Sequence, residues 1–313
     1  MAVKLQKLRI GTRGSPLALR QAEMVRAALA RVQPGLETEI VVIKTSGDWK
    51  PSDGEVRLEE SAGGKGQFAK EIEAALLAGD IDCGVHSMKD MEARLPDGLE
   101  ISHMLPREDV RDALLSRQGL SLEQLPQGAV VGTASVRRQA FLLRTRPDLK
   151  VVPFRGNVQT RIEKMKAGQV DATLLAIAGL KRLGLEKEAT EILPDSQFLP
   201  SAGQGAVGIE CRSADSEFLA IFSQFSCSET VICVQSERAA VAVLEGTCHT
   251  PIGALGTLKD GQLSLRVSVV KLDGSEVWFD QISAPVSTVQ EAIAVGEMLG
   301  QRLKKAVPAG VLL

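Results

Sequence analysis

Tyrosine is absent from this 313-residue sequence, tryptophan occurs twice and aromatics make up 3% of residues, which leaves few ring faces on which single-stranded nucleic acid could stack. Histidine is nearly as scarce: His86, His103 and His249 are too widely spread for a His-rich metal site. The five cysteines, at 83, 211, 227, 233 and 248, are odd in number and form no Cys-x-x-Cys pair. Neither a disulfide framework nor a zinc site is expected, and the thiols should be reduced. No stretch approaches the apolar length of a membrane span. The amino end, Met1-Ala-Val-Lys-Leu-Gln-Lys-Leu-Arg-Ile10, breaks every apolar pair and so has no signal-peptide core. The expectation is a cytoplasmic protein with no metal, membrane or nucleic-acid partner. An excess of either charge is also missing, since 37 Lys+Arg face 39 Asp+Glu, so any strong field must be local.

Hydrophobic residues make up 44% of the chain, ample for conventional cores, and the length suggests about two domains. Leu8-Arg-Ile10 reads as a strand, Gly11-Thr-Arg-Gly14 as a turn, and Ser15-Pro16 as an N-cap with proline at the first helical position. A helix follows to just before Pro34. Next come a strand over 39–44, a helix over 67–78 and a strand over 81–85, giving βαβαβ. The middle of the chain repeats the order: strand 129–131, helix from Val136, strand 151–154, helix 158–167, strand 172–177. Even the words echo, Ile10-Gly-Thr-Arg against Val131-Gly-Thr-Ala and Gly79-Asp-Ile-Asp against Gln169-Val-Asp-Ala. From about Ser228 the pattern changes to an amphipathic helix over 229–245, alternating segments at 262–270 and 276–282, and a last helix over 288–305. The architecture predicted is two similar α/β domains flanking a cleft and a small C-terminal α+β domain.

Arginine is concentrated in three places where the composition suggests no structural need for it: Thr133-Ala-Ser-Val-Arg-Arg-Gln139, Phe154-Arg-Gly-Asn-Val-Gln-Thr-Arg161 and Leu180-Lys-Arg-Leu183. Each is read as lying where a strand gives way to a helix or loop, so backbone N–H groups and guanidinium forks can converge on one anion. Arg13 with Ser15, and Ser135 with Arg137 and Arg138, could each chelate a carboxylate, although a serine there can equally be a plain N-cap. The predicted ligand is polyanionic.

His86-Ser-Met-Lys-Asp90 follows the third strand directly, where ligands of such sheets collect. A lysine beside an aspartate can bind an anion while the carboxylate faces a cationic or N–H-rich centre, unless the two are only a solvated pair. Cys248 lies in the loop Glu245-Gly-Thr-Cys-His-Thr-Pro-Ile-Gly253, a better setting for a reactive thiol than the strand of Cys83 or the helix of Cys233. A Cys–His pair formed with His249 stays open as an alternative. Residues 46–66 interrupt every apolar pattern with charge before Gly63-Gly64-Lys65-Gly66, so a mobile cover over the cleft is expected there. A nucleotide loop is not, because the phosphate-loop pattern is not met.

Taken together, Thr12-Arg-Gly-Ser-Pro-Leu-Ala-Leu19, Val85-His-Ser-Met-Lys-Asp90, Val131-Gly-Thr-Ala-Ser-Val-Arg-Arg138, Arg155-Gly-Asn157, Leu180-Lys-Arg-Leu-Gly184, Gly203-Gln-Gly-Ala206 and Glu245-Gly-Thr-Cys248 resemble the porphobilinogen deaminase (hydroxymethylbilane synthase) family. The resemblance runs from about Leu8 into the C-terminal domain. It implies a transferase of porphyrin and haem biosynthesis that joins four porphobilinogen molecules head to tail, with loss of ammonia, on a dipyrromethane held by a thioether to Cys248. It implies two periplasmic-binding-protein-like α/β domains, 1–105 with 206–223 (domain 1, including the loop 46–66) and 106–205 (domain 2), then a C-terminal α+β domain over 224–313 that carries the cysteine. Asp90 and Lys89 would be catalytic, Asp90 opposing the cation left when ammonia departs. Ser87, Lys89, Asp90, Thr133, Ser135, Arg137, Arg138 and Gly156 would hold the cofactor. Arg13, Ser15, Gln21, Lys65, Arg155, Arg161 and Arg182 would bind substrate carboxylates. A monomer is expected.

This sequence departs from the family pattern at Met91-Glu92, where Val-Pro is common, at Ser61, where a lysine is expected, at Ala134, in place of a common serine, and at Gly14, a variable position. The competing reading is a non-catalytic two-lobed anion-binding module, which would leave Cys248 without a role.

Overall fold

The computed structural model describes residues 7–46, 69–92, 94–245 and 250–311. The expected cover at 46–66, beyond Ser46, lies outside the described residues, as do Lys65 and Cys248. The chain opens with β1 (Lys7–Arg13), α1 (Pro16–Val32), β2 (Glu37–Ile43), α2 (Lys70–Ala78), β3 (Cys83–Ser87) and β4 (Leu99–Met104). It then runs through β5 (Asp112–Ser116), β6 (Val130–Gly132), α3 (Val136–Thr145), β7 (Lys150–Val152), α4 (Val158–Lys166), β8 (Ala172–Ala176), α5 (Ile177–Arg182) and β9 (Glu191–Ile192). β10 (Val207–Arg212) and α6 (Ser216–Ser223) follow, and the last part is α7 (Ser228–Val243), β11 (Ile252–Lys259), β12 (Gln262–Val270), β13 (Val277–Pro285) and α8 (Val289–Ala306).

Two five-stranded sheets have the orders β2-β1-β3-β10-β4 and β7-β6-β8-β5-β9. In each, the first three strands are parallel and the fourth runs antiparallel to both neighbours. The fourth strand of each sheet is the one the chain reaches by crossing over: β5 after β4, and β10 after β9. Around the first sheet, Leu8, Ile10, Ala22, Val25, Leu29, Val207 and Ile209 share a core with Ile221 and Phe222 of α6. Period-2 alternation sends Leu114 to one face of the second sheet and Ala113 and Leu115 to the other. The small third unit packs α7 and α8 on the antiparallel sheet β11-β12-β13 through Ala240, Leu244, Leu265, Val267 and Leu299.

The internal echo is physical, but its second half is displaced by one residue from the sequence reading. Asp82 donates its amide to Arg9 O at 2.9 Å and accepts the Arg9 amide at Oδ2 at 2.7 Å. Asp171 does the same with Val130, at 2.8 Å in both directions. Gly79–Asp82 therefore corresponds to 168–171, not to 169–172. The turn expected at 11–14 is also corrected: β1 continues to Arg13, paired with Ile43 of β2. Gly11 is held in the strand by pairing on both sides, and the close approach favours glycine there, since a Cβ would fall 2.3 Å from Ile81 Cδ1. The loop expected up to Gly253 ends earlier, since Ile252 already begins β11.

The two crossings lie side by side, Leu105 N donating to Val207 O at 3.0 Å and Glu108 N to Gly205 O at 3.1 Å. Glu237 of α7, fully buried, clasps both. Its carboxylate accepts from Arg107 Nη1 at 2.6 Å and Nη2 at 3.0 Å, from Gly203 N at 2.7 Å and from Gly256 N of β11 at 2.8 Å. One carboxylate thus ties the third unit to the junction of the other two.

Candidate active site

β3 ends at Ser87, and Met88–Asp90 form a single 3-10 turn. The Met88 side chain is buried, and its amide donates to Ala206 O at 3.1 Å. Gly203, with φ of +72°, approaches so closely that a Cβ would lie 2.7 Å from Met88 Cβ and 3.2 Å from Lys89 N. With Met88 anchored inward, Lys89 is left half-buried and Asp90 exposed. Burial first, then the like charge of Arg138, pulls the Lys89 ammonium down to about 8; Asp90 and Asp112 oppose this and Arg161 adds to it. Lys89 therefore feels groups that belong to both five-stranded sheets.

Ser15 and Ser135 are both N-caps, their hydroxyls accepting from Ala18 N at 3.3 Å and Arg138 N at 3.4 Å. A capping hydroxyl uses a lone pair and keeps its own proton to donate, so capping does not preclude anion binding. Thr133 Oγ1 accepts from Ser135 N at 3.2 Å. Gln21, buried on α1, and Ser87 are brought together, Gln21 Nε2 donating to Ser87 Oγ at 2.8 Å. Gly156, at φ of +117°, precedes Asn157, which caps α4 by accepting from Thr160 N at 2.9 Å.

Arg137 and Arg138 do have a structural partner, contrary to the sequence reading. Asp112, fully buried at the start of β5, accepts Arg137 Nη2 at Oδ2 at 2.6 Å, and Arg138 Nη2 and Nε at Oδ1 at 2.8 and 3.1 Å. Arg137 also reaches Leu199 O at 2.8 Å and Ser201 Oγ at 3.0 Å, and Arg138 reaches Leu174 O at 3.0 Å. Gln204 Nε2 donates to Asp112 Oδ1 at 3.0 Å. Burial pushes the Asp112 carboxyl up, but Arg137 and Arg138 outweigh it and hold the group well below the usual carboxylate range. Two guanidinium groups against one carboxylate leave a local positive excess at the amino end of α3.

Arg155 is buried between β7 and α4, while Arg161 on α4 and Arg13 at the end of β1 are half-buried. The third cluster lies at the end of α5, where Arg182 donates through Nη2 to Gly205 O at 2.6 Å. Its Nε is buried without a hydrogen-bond partner among the described residues, and burial lowers its pKa.

Asp112 went unmarked in the sequence. Its signal was there: a carboxylate opening a strand as apolar as Asp112-Ala-Leu-Leu must be paired once buried. The Glu210–His86 pair was missed too. His86 Nε2 and Glu210 Oε2 lie 2.9 Å apart, both buried, on adjacent strands β3 and β10.

Residues 8–220 match the family described as porphobilinogen deaminase, dipyromethane cofactor binding domain, and residues 231–305 match the porphobilinogen deaminase C-terminal domain. A porphobilinogen deaminase of Nitrobacter hamburgensis is 50% identical over 269 residues, covering 85% of this chain and 84% of that protein. The chloroplastic porphobilinogen deaminase of Oryza sativa subsp. japonica is 46% identical over 314 residues, covering 97% and 86%. One from Paracoccus denitrificans is 46% identical, covering 96% and 95%. Among solved structures, an ancestral cationic amino acid solute binding protein aligns at a TM-score of 0.45 and 17% identity, covering 70% of this chain and 87% of that one.

Proposed function

Because this chain belongs to the porphobilinogen deaminase family, we propose that Lys89, Asp90 and the arginines around α3 and α4 carry the family's chemistry here, with Cys248 as the point of attachment. The activity itself is that of hydroxymethylbilane synthase, a transferase of tetrapyrrole biosynthesis that uses a dipyrromethane cofactor. It adds four porphobilinogen molecules stepwise with deamination and releases the linear tetrapyrrole by hydrolysis. In this reading the chain divides into 1–105 with 206–223, 106–205 and 224–313, in keeping with the sheet membership of β5 and β10.

The residues fit a group rich in carboxylates. The observation that carries this is the excess of positive charge: among the described residues Asp112 pairs with both Arg137 and Arg138, one negative charge against two positive. The buried orphan Nε of Arg182 and the lowered ammonium of Lys89 add donors that a carboxylate would satisfy. Ser87, Thr133, Ser135, Arg137, Arg138 and the backbone at Gly156 would hold the cofactor's acidic arms. Arg13, Ser15, Gln21, Arg155, Arg161 and Arg182 would receive those of incoming substrate, joined by Lys65. When bound, the cofactor supplies the nucleophilic pyrrole position at which the chain grows. Asp90, exposed on its anchored turn, presents a carboxylate to the pyrrole N–H groups and to the positive charge that develops as ammonia leaves, and can hold or pass a proton there. Lys89, titrating near 8, keeps enough positive charge at neutral pH to fix a carboxylate beside it. A cytoplasmic monomer is the setting in which we place this chemistry.

Intact mass tests the attachment. Protein made in the presence of substrate should carry an adduct that gives a pyrrole colour with acid aldehyde, and Cys248→Ser should not. An adduct of normal size on Cys248→Ser overturns the assignment of Cys248.

A further inference from the structure

Arg238 belongs to no site described so far. It sits in the middle of α7, next to Glu237, and is 7% exposed. Its side chain crosses from the third unit to the chain just after Asp90: Nη2 donates to Glu92 O at 2.5 Å and Nη1 to Met91 O at 3.4 Å. These carbonyls lie just past the Met88–Asp90 turn, which closes through Met91 N donating to Met88 O at 3.2 Å and whose front is fixed by Met88 and Ala206. A turn of three residues has no helical ladder beyond it to hold the chain that leaves it, so an outside donor on the next two carbonyls fixes the exit path. Val231 and Val234, on the same helix, pack with Met88 and Met91. The Met88–Asp90 turn is thus gripped from α7 by apolar contact on its inner side and by a guanidinium at its exit.

We propose that Arg238 is a positioning residue for Asp90, and that α7 sets both the junction of the two large units, through Glu237, and the catalytic carboxylate, through Arg238. A planar fork can span two successive carbonyls, whereas an ammonium cannot reproduce that geometry. Burial lowers the guanidinium to about 10, and the buried Glu210 partly opposes that fall. Cys248 follows α7 in the sequence, so the helix that leads to the attachment point also places the carboxylate that must face what is attached.

This inference rests on the role given to Asp90 above, and a double-mutant cycle separates the two. Arg238→Lys and Arg238→Gln should each be folded, carry the normal adduct by intact mass, and lose about 10-fold or more in kcat with KM within about twofold, because displacement of a reacting group by ~1 Å can cost about 10²-fold. In an Asp90→Asn background the same substitutions should cost less than about twofold, since a residue that acts through Asp90 has nothing left to position. Losses that multiply in that background, or single variants with unchanged kcat, overturn the proposal. Should Arg238→Gln not fold, Arg238→Lys, which keeps the charge and one donor, carries the test. A wild-type rate in Asp90→Asn alone would instead remove the catalytic role of Asp90 and the premise with it.

Discussion

Glu73 stands half-buried on α2, and desolvation, followed by the charges of Glu210 and Glu92, raises its carboxyl to about 7; His86 and Lys70 oppose the rise. A carboxyl raised from its unfolded value near 4.5 gives stability that is fully present below about pH 4.5 and is lost as pH rises through about 7. Glu73→Gln fixes the neutral form and should remove that slope. Urea midpoints measured from pH 4.5 to pH 8 should coincide for mutant and wild type at the acid end, with the mutant the more stable at pH 8. Parallel curves would mean that Glu73 binds its proton equally in the folded and unfolded states. Nothing in Glu71-Ile-Glu73 announces this, because an acidic residue near a helix start reads as favourable to the helix dipole. Its neighbour Glu210 arrives from a strand more than a hundred residues away, and only the fold reveals it.

At the scale of elements, local chemistry was legible and long-range closure was not. Ser15-Pro16 and Ser135 marked the starts of α1 and α3 because N-capping involves only a turn of chain, and Thr288 does the same for α8, with Glu291 completing a capping box. The arginines of α3 were equally visible, but not Asp112, which belongs to β5 and meets them only through strand pairing. The consequence is testable. Asp112→Asn leaves two buried guanidinium groups without their counter-ion, and breaking such a pair costs about 3–5 kcal/mol. Urea unfolding should show a loss of that order with the m value unchanged, and the loss should shrink when Arg137→Met is added. A loss below about 1 kcal/mol would show that another group neutralises the pair.

For the whole molecule, the decisive feature is that β10 lies between β3 and β4 in the first sheet although the entire second sheet precedes it in the chain. Residues 7–105 alone keep β3 on β1 but leave β4 with no partner strand, and should show no slowly exchanging amides in β4. A chain in which a short Gly/Ser linker replaces residues 106–205 should recover them, because the two crossings already run 3.0–3.1 Å apart at their hydrogen bonds and insertions of this kind keep their ends close. Equal protection in the two chains would show that β10 is dispensable to the first sheet. The alternation and turn signals of β1 to β3 and β6 to β8 were readable because each βαβ run is contiguous, whereas the swap of β5 and β10 depends on crossings that carry no periodic signal. Only the Gly203-Gln-Gly-Ala206 words hinted at it, by resemblance.

The same strand order governs how the molecule can be made. On the ribosome β1 to β4 emerge first, yet their sheet stays open between β3 and β4 until β10 follows, roughly 120 residues after β3, or on the order of ten seconds at about 5–20 residues per second. The second sheet is complete within its own run of chain and can close during that wait. The N-terminal part of this enzyme is therefore synthesised first and finished second, and in the interval its open β3 and β4 edges are exposed to pairing with other chains.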